Sequence, residues 1–321
     1  MLSLPPSSRD CTRRQFVAAA AAASFSAWLP QRGRADEQGA ASESKPAQVP
    51  VVDTHLHCFA GSKDPRFPYH ERAPYRPEQA ATPEHLLKLM DKAGVDYAVV
   101  VHPEPYQDDH RYLEHCLEVG DGRLKGTCLV FADRAGSMQQ LPALARKLPL
   151  IAARVHAYAP DRLPPFGKPE LRQLWKLASD AGLAMQLHFE PRYAPGFEPL
   201  IKEFRDTTVI IDHLGRPFQG TPEEHAVVVG WSKYPNTILK ISSLPSTRSY
   251  PHREVAPVVQ QLAKAYGPSR LIYGGGYGAD ASGDSYRAYR ERIAEMLSEY
   301  SNAQRAQVLG GNASRLFGFG S

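Results

Sequence analysis

The chain has little cysteine, and what it has is poorly spaced for a framework. Four cysteines stand at 11, 58, 116 and 128 with no CxxC pair, so neither a disulfide scaffold nor a cysteine zinc site is expected, and buried thiols are the default. Long apolar runs are also missing. Beyond the first 35 residues nothing approaches the stretch of about 18 apolar residues that a spanning helix needs. A glycine-rich phosphate turn after an early strand is absent, and Gly274–Gly278 lacks the G-x-G-x-x-G spacing, which argues against a nucleotide site.

The first 35 residues read as an address, not as structure. Thr12-Arg13-Arg14-Gln15-Phe16 is a twin-arginine opening, an alanine-rich apolar run follows from Val17 to Leu29, and Gly33-Arg34-Ala35 offers a small-residue cleavage site. A membrane anchor is the competing reading, but the run is short and only weakly hydrophobic. The expectation is an exported, periplasmic or extracytoplasmic protein with no stable membrane insertion after processing. This segment holds five arginines and one acid, so the formal charge of +4 for the whole chain falls to zero for the remainder. No electrostatic footprint for nucleic acid or an anionic membrane is left. Residues 36–49 are polar and poor in bulky side chains, hence a disordered linker, and 50–321 is left as one domain.

Behind the linker two textures alternate. Short apolar runs (51–58, 97–101, 124–131, 151–156, 183–189, 209–214, 237–242, 270–273) are each followed by a stretch of helical period (83–93, 109–119, 137–147, 170–181, 198–205, 223–233, 252–266, 286–299). Thr82-Pro83-Glu84 opens the first helix with an N-cap and a proline at the first helical position. Eight such alternations predict parallel βαβ units closed into an α/β fold, a single-domain (β/α)8 TIM barrel. The stretch from Phe59 to Pro83, rich in proline, aromatics and charge, fits neither period and is a candidate lid.

A barrel gathers its chemistry at the C-terminal ends of its strands, and histidines recur there: His55 and His57 after the first, His102 after the second, His156 with Arg154 at the fourth, His188 at the fifth, His213 at the sixth. Strict alternation puts Asp53, His55 and His57 on one face of the first strand, with Cys58 on the other. His55, His57 and His188 offer three neutral nitrogen donors to one divalent ion, zinc by preference, with positions left open for water and substrate. A metal-free set of strand-end histidines is the alternative. Asp53 either orients an imidazole or is a buried structural acid. Arg154 and His156 share a face suited to the carboxylate of a small acidic substrate, with His102 lining the same pocket; an ion pair within the barrel wall is the alternative for Arg154. Lys240 is read as structural, paired with Asp212 or another acid. His70, His85, His110, His115, His225 and His252 fall in loops or helices and are expected at the surface.

Asp53-Thr54-His55-Leu56-His57, Gln186-Leu187-His188, Asp212-His213-Leu214-Gly215-Arg216-Pro217 and Gly310-Gly311-Asn312-Ala313-Ser314-Arg315-Leu316-Phe317-Gly318 together resemble the amidohydrolase superfamily, and within it the amidohydrolase-related branch of lactonases and decarboxylases, from about Pro50 to the C-terminus. The resemblance implies a metal-dependent hydrolase on a (β/α)8 barrel, with His55, His57 and His188 as metal ligands and His213 as the acid-base or carbonyl-polarising histidine. At the eighth strand the chain departs from the pattern. Gly274-Gly275-Gly276-Tyr277-Gly278 stands where the family reads Gly-Ser-Asp-Tyr-Pro, so Gly276 replaces the aspartate that serves as general base. Asp280 is the expected substitute, ahead of Asp284 and Glu190. The expected function is an exported hydrolase that opens a lactone of a small acidic molecule. A non-oxidative decarboxylase, or a binding barrel that lost catalysis with its aspartate, are the alternatives, and a homo-oligomer is left open.

Overall fold

The structure is a computed structural model and describes residues 48–320. The export signal over 1–35 and nearly all of the linker over 36–49 lie outside the described residues. Eight strands, β1 (Val52–Leu56), β2 (Tyr97–Val101), β3 (Leu124–Leu129), β4 (Leu150–Ala157), β5 (Ala184–Phe189), β6 (Val209–Ile211), β7 (Thr237–Ile241) and β8 (Leu271–Tyr273), alternate with eight helices: α1 (Pro83–Ala93), α2 (Arg111–Gly120), α3 (Ala135–Lys147), α4 (Pro169–Asp180), α5 (Glu198–Glu203), α6 (Pro222–Gly230), α7 (Val255–Tyr266) and α8 (Gly283–Met296). Two short helices, α9 (Asn302–Ala306) and α10 (Asn312–Phe317), follow. No helix among the described residues is long and apolar enough to cross a membrane.

The strands pair in parallel in chain order from β1 to β8. At the seam Thr54 Oγ1 donates to the Tyr273 carbonyl at 2.6 Å, and the backbones approach so closely that a Cβ on Gly274 would stand 2.7 Å from the His55 nitrogen. The helices start where the sequence supplies caps. Thr82 accepts from the His85 amide ahead of Pro83, and Thr221 and Glu224 form a reciprocal capping box. Helix faces bury Leu86, Leu113, Leu174, Trp175 and Trp231 against the outside of the sheet, while Val52, Val99, Ala152, Ala184, Ile210, Ile238 and Ile272 form a separate apolar layer closed by Ala313 and Phe319. The barrel is thus filled, not hollow. Phe59 and Ala81 exchange backbone hydrogen bonds of 2.9 and 2.8 Å, closing the long loop after β1 upon itself.

β1 departs from strict alternation. Its register against β2 shifts between Asp53 and Leu56, leaving two residues where β2 has one. Such a bulge re-aims every side chain beyond it. Val52 belongs to the interior layer and Leu56 to the outer cluster, so His55 and His57 point inward while Asp53 does not. The expectation that Asp53 shares a face with the two histidines is therefore corrected.

Candidate catalytic centre

Side chains facing the barrel interior change character as the strands rise. On β4 the sequence runs Ala152, Arg154, His156; on β5, Ala184, Gln186, His188; on β7, Ile238 and Lys240, with Ser242 just beyond. The register pairs Arg154 with Gln186 and His156 with His188. An apolar floor, an ionic layer and a histidine layer are stacked in that order.

The ionic layer centres on Asp212, fully buried. Arg154 Nε donates to Asp212 Oδ2 at 2.9 Å and Gln186 Nε2 to the same oxygen at 3.0 Å. Lys240 Nζ stands 3.2 Å from Asp212 Oδ1, donates to the Thr54 carbonyl at 2.9 Å and lies 3.4 Å from His55 Nδ1. Although burial alone would raise its pKa, the two cations hold Asp212 ionised, well below the ordinary carboxylate range. Arg154 is thus committed to the barrel wall, the alternative weighed for it, and Lys240 is paired as read.

Above this layer the imidazoles lie ring to ring. Centroid separations are 5.1 Å from His57 to His55, 4.4 Å from His55 to His213, 4.9 Å from His213 to His188 and 5.1 Å from His188 to His156. All five line one cavity of about 1220 Å³. Burial is the first cause that lowers each of their pKa values: to about 4 for His57 and His156, to about 3 for His213, and well below the ordinary value for His55 and His188. At neutral pH the rings are uncharged donors, the form a metal needs.

Ring orientation is set from behind. His57 Nδ1 donates to the Val101 carbonyl at 2.7 Å, which leaves Nε2 with its lone pair free. His55 turns Nδ1 toward Asp212, 3.5 Å away, and its buried Nε2 has no partner; nor has His188 Nδ1. The unpartnered neutral nitrogens of His55 and His188 are donors of the kind a divalent ion takes. Among the described residues the donor set whose ligand atoms all lie within 4.8 Å of one another is His55, Asp212 and His213, which shares His55 with the expected triad but not His57 or His188. Lys240 Nζ, 3.2 Å from Asp212 Oδ1 and 3.4 Å from His55 Nδ1, would compete with an ion for those two atoms.

His213 opens a turn in which four consecutive residues, His213, Leu214, Gly215 and Arg216, have φ between 54° and 67°. Three of them carry side chains, and such conformations persist where the surroundings over-determine them. The turn stops β6 at Ile211, earlier than the apolar run suggests. His213 Nδ1 sits 2.8 Å from Ser242 Oγ and Nε2 3.5 Å from the Arg154 guanidinium. Arg216, half-buried, points its guanidinium over the Tyr158 ring.

Other sequence expectations need revision. His102 does not line the cavity: the turn after β2 brings the Gln107 carbonyl to 3.0 Å from its Nε2, and the ring stacks near His110. Asp280 lines the rim but is exposed. Asp53 accepts from the amides of His55 and Gly275 and from the Tyr286 hydroxyl, at 2.9, 2.7 and 2.7 Å, and burial raises it to about 7; it is the buried structural acid, tying β1 to the segment after β8. His110 and His225 are buried, not superficial, the former accepting from the Leu129 amide and the latter bonded to the Leu214 carbonyl. Sequence reasoning missed Glu104, whose carboxylate meets Arg162 at 2.8 Å, the Tyr158 hydroxyl and His156. Its position two residues past His102, at the mouth end of β2, was the available signal.

Comparison with known proteins places this geometry. The amidohydrolase family model matches residues 52–319. The 4-sulfomuconolactone hydrolase of Rhizobium radiobacter is 26% identical over 299 residues, covering 88% of this chain and 95% of that one. The L-fucono-1,5-lactonase of Burkholderia ambifaria is 27% identical over 259 residues, 73% of this chain and 84% of that one. An amidohydrolase from Burkholderia multivorans, solved with bound zinc, superposes with a TM-score of 0.66 at 18% identity, over 84% of this chain and 99% of that one. The barrel with its histidine-lined mouth belongs to the amidohydrolase family.

Proposed function

We propose that this protein is an exported, metal-dependent hydrolase that opens a lactone of a small acidic molecule, with zinc held by His55, His57 and His188. The observation that carries the reading is the set of neutral imidazoles with unpartnered ring nitrogens facing one cavity from β1 and β5. Two lactone hydrolases among its relatives support it. When bound, the ion would polarise the ester carbonyl and acidify water.

The chain's own residues supply the rest. His213 is steadied at Nδ1 by Ser242 and holds Nε2 beside the Arg154 guanidinium; with Ser242 donating to Nδ1 the proton sits on Nε2, the tautomer that can donate to a developing oxyanion. Among the described residues no carboxylate pairs with Arg216 within 4 Å, although Glu190 acts on it from farther off, and its guanidinium lines the cavity where an anionic substituent can meet it. Arg154, paired with Asp212, also lines the cavity and adds its positive charge to the substrate side of the ionic layer.

The test is elemental analysis of the purified protein, paired with two lactones that carry a carboxylate, 5-oxotetrahydrofuran-2-carboxylate and muconolactone, and the uncharged δ-valerolactone, each followed by a pH indicator. Bound zinc near one per chain and ring opening lost in His188→Ala are expected. Turnover undiminished in that variant and after chelation would remove the metal. Export rests on Arg13 and Arg14; their joint replacement by lysine should hold the protein in the cytoplasm on fractionation.

Gly276 favours a second reading, a binding barrel without catalysis. A metal-loaded protein that turns over no lactone yet binds hydroxy acids by calorimetry would support it.

A further inference from the structure

We propose that His156, positioned by Glu104, is the acid-base residue of this hydrolysis, doing from β4 what a carboxylate after β8 cannot do here. The inference rests on the lactonase reading. It begins with a closed position: Gly276 has φ of +109°, and a Cβ there would stand 2.8 Å from the Tyr286 ring and 3.2 Å from the Tyr289 Cβ. The segment after β8 has room for glycine and for little else.

Three carboxylates line the cavity, Glu78, Glu104 and Asp280. Glu78 and Asp280 are exposed at the rim. Glu104 is buried and is the one of the three beside an imidazole. Its Oε1 stands 3.6 Å from His156 Nδ1, an ion-pair approach longer than a hydrogen bond, and is fixed by Arg162 at 2.8 Å. A contact of this kind tightens when substrate fills a site. Both His156 ring nitrogens are buried with no hydrogen-bond partner; Nδ1 is the one that faces Glu104, so a closing of that contact places the proton on Nδ1 and leaves the lone pair on Nε2.

Water then bonds through oxygen to the lactone carbonyl carbon as its proton passes to His156 Nε2, and the carbonyl π pair moves to oxygen. The tetrahedral oxyanion re-forms the carbonyl and expels the ring oxygen, which takes the proton back from His156. One water is consumed, one hydroxy acid appears, and the imidazole returns neutral. Glu104 touches no reacting atom; it is a positioning residue that selects the tautomer.

The experiment uses the full chain, metal-loaded, with the panel lactone that the wild type opens fastest. His156→Ala should lower kcat about 100-fold or more with KM little changed, at wild-type zinc content and wild-type melting temperature, and added imidazole should restore turnover about 10-fold. Glu104→Gln should lower kcat with KM little changed, without loss of zinc. Undiminished kcat in His156→Ala, absence of imidazole rescue in a folded variant, or zinc lost with His156 each overturns the assignment while leaving the hydrolase reading in place. A wild type inactive on the whole panel overturns both.

Discussion

At Lys240 an ammonium group sits wholly out of water, held by Asp212, the Thr54 carbonyl and the edge of His55. Burying two ions is costly, and the pair persists because Arg154 and Gln186 complete the shell of Asp212. Lys240→Met should cost about 1–3 kcal/mol by leaving the buried Thr54 carbonyl and one Asp212 oxygen without their donor, with Arg154 still paired to Asp212, while Lys240→Met with Asp212→Asn should cost more, because the Arg154–Asp212 pair is then broken and a buried guanidinium is left without its carboxylate; urea unfolding of the two variants decides it. Equal stability of both would show that the Arg154–Asp212 pair adds nothing. At Gly276 the expectation from geometry is equally direct. Gly276→Asp should lower the melting temperature and add no turnover, because the new Cβ meets Tyr286 before any carboxylate can reach the cavity. A stable variant with raised activity would refute this. The tyrosine contact is a feature of the folded packing and could not be read from a run of glycines.

Among the elements, the turn from His213 to Arg216 sets the orientation of the catalytic mouth at β6. Gly215 has φ of +67° and a Cβ there would lie 2.7 Å from Val228 on α6, so α6 packs against the turn and holds it in its strained form. Gly215→Ala should destabilise by about 1–3 kcal/mol and lower turnover by displacing His213, measured by thermal melting and by the lactone assay. Wild-type behaviour on both would separate the turn from the site. The bulge in β1 is the other decisive element. His-x-His announces itself in the sequence, and so does the alternation of strand and helix; the extra residue that sends His55 and His57 inward and Asp53 outward does not, because register is fixed by the neighbour strand. The same holds for Glu104, whose role depends on β4 lying two strands away from β2.

For the whole molecule, pH should act on stability through its buried imidazoles. Eight histidines, at 55, 57, 102, 110, 156, 188, 213 and 225, have pKa values lowered first by burial. Below about pH 6.5 the unfolded chain takes up protons that the folded one refuses, so stability falls as pH drops toward the folded values, about 4 for His57, His110 and His156. Asp53, raised to about 7, works in the opposite sense: its contribution is full below the unfolded value near 4 and is lost as pH rises toward 7. One group against eight leaves the protein acid-labile. Chelator-treated protein should show a lower urea midpoint at pH 5 than at pH 7.5, and equal midpoints would contradict the linkage.

Periodicity and turn residues were enough to determine the eight βα units, and strand-end placement was enough to pick out His55, His57, His156, His188 and His213, since both depend on local pattern and on where a barrel gathers its loops. Only the tertiary structure decided that Arg154 serves Asp212, that His102 stands behind the cavity, that Asp280 remains at the rim and that Glu104 meets His156. Those outcomes depend on which side chains from distant strands compete for the same partner, and that competition has no trace in the spacing of any one segment.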